Sequence, residues 1–115
     1  HDPRGPEDKR LPFADAAPGM AGAEVLLATT LGLVRDRVID LSRAFALMAG
    51  NPAKLLGVAA GALERGAEAD IALIDPDRPW IVDTDKMAAS AGNTPFDGQP
   101  MQGRVEALWK GGVRV

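Results

Sequence analysis

The side chains that could do chemistry are concentrated at one end of the chain. HDPRGPEDKRLPF, residues 1–13, holds the single histidine, His1, together with the carboxylates Asp2, Glu7 and Asp8 and the cations Arg4, Lys9 and Arg10. Paired carboxylates are suited to moving protons. Arg4, Lys9 and Arg10 could clamp an anionic substrate through charge-assisted hydrogen bonds. PGMAG, residues 18–22, stands just before a helical pattern and could turn backbone N–H groups toward an anion. Each has an ordinary alternative: charge on a Pro-rich loop is commonly just a solvated face, and glycines are common where helices begin. GNTPFDG, residues 92–98, is an odd composition for a plain linker but holds no group that must be catalytic. Trp80 and Trp109 read as core, because a strand tryptophan buries a large area.

Composition removes several chemistries. The chain has 115 residues, no cysteine and a net charge of −3. Thiol catalysis, disulfides and thiolate metal sites are excluded, and the acidic balance gives no footing for a nucleic-acid partner. One histidine cannot supply the converging ligands of a complete metallohydrolase. No apolar run approaches the length of a membrane span, and the charged, Pro-rich start is unlike a signal peptide. With no initiating Met, the chain is expected to be a processed product, a truncated form or a fragment.

The elements that must position these groups are helices first, strands after. Residues 1–19 read as a loop broken by Pro3, Pro6, Pro12 and Pro18, and a loop of that length is either disordered or functional. Residues 22–36 predict a helix with Leu27, Leu31 and Val34 on one face; Leu26 and Leu33 broaden the apolar arc, so burial against more than one neighbour is expected. Asp40 predicts the N-cap of a second helix over 41–49, ended by Gly50. Asn51 then caps a short third helix with Pro52 at its start and Gly57 after its end. Past it, ADIALIDP reads as a buried strand, WIVD as a second one, and 86–103 as a loop. GRVEALWKGGVRV predicts a β-hairpin turning on Gly111-Gly112. About 115 residues fit one domain, yet each half is small for burying a core. The pattern suggests the end of one domain joined to a piece of another.

In this order, HDPRGPEDKRLPF, PGMAGAEVLL, NPAKLLG, GAEADIALIDPDRPWIVD, GNTPFDG and GRVEALWKGGVRV resemble the C-terminal portion of dihydroorotases, in the cyclic amidohydrolase superfamily. The resemblance covers essentially the whole chain. NPAKLLG and EADIALIDP are shared with hydantoinase-like relatives; EDKRLPF combined with GNTPFDG is more particular to dihydroorotases. The resemblance implies an α/β parent, with a (β/α)8 barrel that holds the metals and a small β-sandwich built from both chain ends. Residues 1–58 would be the barrel's last loop and closing helices, and residues 59–115 the C-terminal strands of the sandwich. The opening loop would lie at the catalytic face of the barrel.

The implied reaction is the interconversion of N-carbamoyl-L-aspartate and dihydroorotate in de novo pyrimidine biosynthesis. Zinc would activate a hydroxide and polarise the ring carbonyl, held by ligands outside this chain. The family loop typically reads Asp-His-Ala-Pro-His. Aligned on Pro3, Lys9 and LPF, His1 matches the first family histidine, and the catalytic aspartate falls at the position before it. Asp2 stands where alanine is usual. Arg4 replaces the second histidine, which contacts substrate, and its planar fork suits a carboxylate. Pro18 and Gly19 match the pair whose backbone contacts the substrate. The expected substrate-binding residues are therefore Arg4, Pro18 and Gly19, with no catalytic residue or metal ligand in this chain.

The leading expectation is thus part of a zinc-dependent, cytoplasmic dihydroorotase, inactive as this chain alone. Its partners would be the small-molecule substrate, the rest of the parent chain and further copies in a homo-oligomer, with no nucleic acid and no membrane. The alternative is a non-catalytic homologue serving as an assembly partner of aspartate transcarbamoylase, for which the altered loop at Asp2 and Arg4 speaks. A hydantoinase-type amidohydrolase is the third reading, disfavoured by EDKRLPF and GNTPFDG.

Overall fold

The computed structural model describes residues 5–89 and 91–115. The chain divides into two compact units, His1–Leu26 with Pro79–Met101, and Leu27–Arg78 with Gln102–Val115.

Helix α1 spans Leu26–Arg35, preceded by a 3-10 turn over Ala23–Val25. The expected face is the buried one: Leu31 is 2% exposed, Ala28 is buried, and Leu27 and Val34 are half-buried. The broader arc is not used, since Leu26 and Leu33 are 53% and 43% exposed. Its end is unusual. Val38 N–H bonds the Leu33 carbonyl at 2.9 Å and Arg37 N–H the Val34 carbonyl at 3.0 Å. This is a Schellman closure, with Arg37 in the left-handed position at φ 59°. α3 closes the same way on Gly57. A side chain in that conformation costs energy that glycine does not. Arg37→Gly should therefore stabilise the protein by about 0.5–1 kcal/mol, read as a higher urea midpoint at unchanged m value.

α2 spans Leu41–Phe45, and Asp40 caps it as expected, its Oδ1 accepting from Arg43 N–H at 2.7 Å. The expected break at Gly50 does not occur. A π-helical turn over Ala46–Gly50 leads directly into α3, Asn51–Leu56, and both Gly50 and Asn51 keep right-handed helical angles. The reason lies at Pro52, which has no N–H to give and whose ring crowds the preceding turn. A local π turn absorbs that defect without ending the helix. Asn51 is thus not a cap.

The sheet has three strands in the order β1-β2-β3. β1 runs over Ile71–Ile81, merging the two strands expected from ADIALIDP and WIVD. Pro76 and Pro79 are tolerated because β1 is an edge strand, where missing N–H donors need not break the ladder. The expected burial of ADIALIDP is not found: Ile71 and Leu73 are 38% and 56% exposed, because β1 has a strand neighbour on one side only. β2 spans Pro100–Lys110, starting earlier than expected, and pairs antiparallel with β3, Val113–Arg114. Met101, Gly103, Ala107 and Trp109 form its less exposed face. Trp80 and Trp109 are half-buried rather than core.

The hairpin turn is as expected, with Gly111 and Gly112 at φ 56° and 81°. Asp70 braces it. Its carboxylate accepts from the Lys110 ammonium and from Gly111 N–H at 2.8 Å, while Gly112 N–H bonds the Ala69 carbonyl at 2.9 Å. The Lys110 hydrogen bond, then that of Gly111, holds the Asp70 carboxyl below the usual carboxylate range. A depressed carboxyl stabilises the fold above its unfolded-state value and stops doing so as pH falls through its folded value. The Gly111 amide should therefore stay protected at neutral pH and lose protection on acidification below the carboxylate range. Amide exchange measured against pH checks this, and Asp70→Asn should abolish the pH dependence.

Candidate functional site

The structure builds one site from the two motifs that most resemble dihydroorotases. Pro6–Lys9 forms a 3-10 turn, started by a proline that needs no N–H there. Asp15 and Ala16 N–H both bond the Pro12 carbonyl, at 2.8 and 2.9 Å, which turns the chain back. Ala17 N–H then reaches the Asp8 carbonyl at 3.1 Å. This places Ala17 beside Lys9, whose ammonium donates to the carbonyls of both Ala17 and Gly19. Gly19 has φ 83°, a left-handed value that an L side chain would strain.

GNTPFDG supplies the facing wall. The Asn93 carbonyl accepts from Ala21 N–H at 3.2 Å, and Asn93 itself is buried at 6% exposure. The motif is anchored behind by Asp97 Oδ1, which accepts from Thr84 N–H at 3.1 Å, and by Gly98 N–H, 2.8 Å from the Val82 carbonyl. Val82 N–H returns to the Gln99 carbonyl at 3.0 Å. Beside these contacts, the Lys86 ammonium lies 2.6 Å from Asp83 Oδ2 and holds that carboxyl below its ordinary range. Glu24 ties the helix start to this wall, accepting from Ala89 N–H at 3.0 Å. A cavity of about 570 Å³ results, lined by Lys9, Gly19, Met20, Gly92, Asn93, Thr94 and Pro95.

The expected site residues fare differently. Pro18 and Gly19 are exposed, and Gly19 lines the cavity. Arg4, like His1 and Asp2, lies outside the described residues. Glu7 and Arg10 are exposed and Asp8 is half-buried. Lys9 does not stand as an open anion clamp beside Arg10; its ammonium is engaged by backbone carbonyls. In PGMAG the Ala21 N–H is taken by Asn93, whereas no hydrogen bond among the described residues takes the N–H of Gly19 or Met20. Sequence reasoning missed the pairing of Asn93 with Ala21, because no local pattern links positions so far apart. The one available signal was that GNTPFDG is too particular for a linker.

A metal does not fit the described residues. No three His, Cys, Asp or Glu side chains among them gather into a group that could hold an ion. What the arrangement offers is a cleft beside a backbone corner tied by Lys9 and Asn93, with N–H donors suited to an anion or a carbonyl oxygen.

A family model described as "Amidohydrolase family" matches residues 15–115. A dihydroorotase from Geobacter metallireducens is 40% identical over 115 residues, all of this chain and 27% of that protein. A dihydroorotase from Pelobacter propionicus is 41% identical over 107 residues, 93% of this chain and 25% of that protein. The chain therefore spans about a quarter of the length of these curated relatives. Among solved structures, a D-hydantoinase superposes with a TM-score of 0.83 at 23% identity, over 96% of this chain and 25% of that one, a likeness of fold. L-hydantoinase (dihydropyrimidinase) from Arthrobacter aurescens gives a TM-score of 0.75 at 29% identity, over 89% of this chain and 23% of that one.

Proposed function

Because the chain belongs to the amidohydrolase family, we propose that its parent is a dihydroorotase, interconverting N-carbamoyl-L-aspartate and dihydroorotate in de novo pyrimidine biosynthesis in the cytoplasm. The observation that carries this reading is the 40% identity to a dihydroorotase along all 115 residues. The cavity supports it, because Lys9 of EDKRLPF and Gly92–Pro95 of GNTPFDG line the same space as Gly19.

In this reading residues 1–58 belong to the closing part of a (β/α)8 barrel and residues 59–115 to the C-terminal share of a β-sandwich. The apolar side chains left open here, Leu55 and Leu56 at 88% and 73% exposure among them, pack against the rest of the parent chain or a second copy in a homo-oligomer. Zinc is assigned to ligands outside this chain, which alone is inactive. This chain's share of the work is to hold the substrate. Arg4 forks onto its carboxylate, the Gly19 backbone supplies an N–H donor, and Pro18, which has no N–H, gives the corner its shape. A donor that is already oriented loses little on binding, so the corner adds affinity at small entropic cost.

One observation favours a second reading. Asp2 and Arg4 alter the loop that resembles Asp-His-Ala-Pro-His, as expected of a non-catalytic homologue that assembles with aspartate transcarbamoylase. The full-length protein, loaded with zinc and given N-carbamoyl-L-aspartate or dihydroorotate, separates the two. Turnover in both directions supports the dihydroorotase; no turnover at full metal occupancy supports the scaffold.

A further inference from the structure

We infer that Lys9 is a positioning residue for substrate binding, acting through the Ala17–Met20 backbone; this rests on the dihydroorotase reading. Its ammonium has three donors and reaches two carbonyls, those of Ala17 and Gly19. A peptide unit is planar and trans, so its C=O and N–H point in opposite directions. Fixing the Gly19 carbonyl therefore fixes the Met20 N–H, which points away from Lys9. Fixing the Ala17 carbonyl fixes the unit that enters Pro18. The unit between them, which carries the Gly19 N–H, is then held at both ends. Pro18 restricts its own φ, and Asn93 holds the far side through Ala21 N–H at 3.2 Å. What remains adjustable is small, although Gly19 at φ 83° would otherwise be the most permissive point of the loop.

Between Ala17 and Ala21, the N–H groups of Gly19 and Met20 are the two that no hydrogen bond among the described residues takes, and both residues line the cavity. The ammonium thus holds the carbonyl side of the corner and leaves its donor side for the ligand. The ligand class is a carboxylate-bearing cyclic ureide or its opened carbamoyl amino acid. Lys9 touches the backbone rather than the substrate, so its removal should weaken binding and leave the reacting atoms in place.

The test uses the full-length, metal-loaded protein with Lys9→Met and Lys9→Arg. Lys9→Met should raise KM for dihydroorotate about tenfold with kcat within about threefold of wild type, the pattern of lost uniform binding. Amide exchange at Ala17 and Ala21, whose N–H groups bond the Asp8 and Asn93 carbonyls on either side of the corner, should accelerate at least about tenfold, while amides of α1 keep their protection. Lys9→Arg should restore most of both, since a guanidinium can also serve two carbonyls. Unchanged KM and unchanged exchange at Ala17 and Ala21 would overturn the inference, as would a loss of protection that extends through α1. If the wild type turns over no substrate, the dihydroorotase reading fails, and exchange at Ala17 and Ala21 still decides whether Lys9 holds the corner.

Discussion

Arg4→Ala in the full-length protein should raise KM for dihydroorotate about a hundredfold. By the resemblance of its loop to Asp-His-Ala-Pro-His, Arg4 takes the place of a substrate-contacting histidine, and its guanidinium can make two parallel hydrogen bonds to one carboxylate. Removing such a pair costs about 3 kcal/mol, which is about a factor of a hundred at 1.36 kcal/mol per decade. The loss should fall on KM, because the carboxylate is bound in both the ground state and the transition state and takes no part in ring opening. Arg4→Lys should recover only part of the affinity, since an ammonium lacks the fork. A KM within threefold of wild type for Arg4→Ala would remove Arg4 from the substrate site.

The second large effect is on stability. Gly103 is buried in β2 with φ 103°. A Cβ there would lie 2.4 Å from Leu31 Cδ1 and 3.4 Å from the Pro76 carbonyl oxygen. Leu31 is 2% exposed, one of the largest fully buried side chains, so it has little room to retreat. β1 closes the other side through the Pro76 carbonyl. Gly103→Ala adds overpacking to an unfavourable backbone conformation and should cost about 3 kcal/mol. The checkable result is a lower unfolding midpoint for the full-length protein, accompanied by faster amide exchange in both α1 and β2. Leu31→Ala in the Gly103→Ala background should relieve part of the clash, giving a double-mutant cost smaller than the sum of the single ones.

Gly103 also shows where sequence reading ran out. Its neighbours in the sequence suggested only the end of a loop, and nothing local indicates that Leu31 lies over it. The same division runs through the chain. Asp40 as a cap, the Gly111-Gly112 turn and the Leu27, Leu31, Val34 face were legible, because each depends on residues within one or two turns of each other. The break expected at Gly50 was not, because Pro52 is accommodated by a π turn rather than by ending the helix. The two strands expected around Asp75-Pro76 are one, because an edge strand tolerates prolines. The site divides likewise. Pro18 and Gly19 could be named from their resemblance to a substrate-contacting pair. What ties that corner could not, because it depends on Lys9 reaching back to the carbonyls of Ala17 and Gly19 and on Ala21 N–H reaching the Asn93 carbonyl. Such contacts are set by tertiary structure and leave no periodicity to read.

The central claim is that this chain supplies the part of a dihydroorotase that holds a carboxylated substrate. Dihydrouracil is the same ring as dihydroorotate without the carboxylate, so kcat/KM of the full-length, zinc-loaded protein for the two compounds tests the claim most directly. With Arg4 and the Gly19–Met20 donors engaged, dihydroorotate should be preferred by at least about a hundredfold. Equal turnover of both, or a preference for dihydrouracil, would contradict the account.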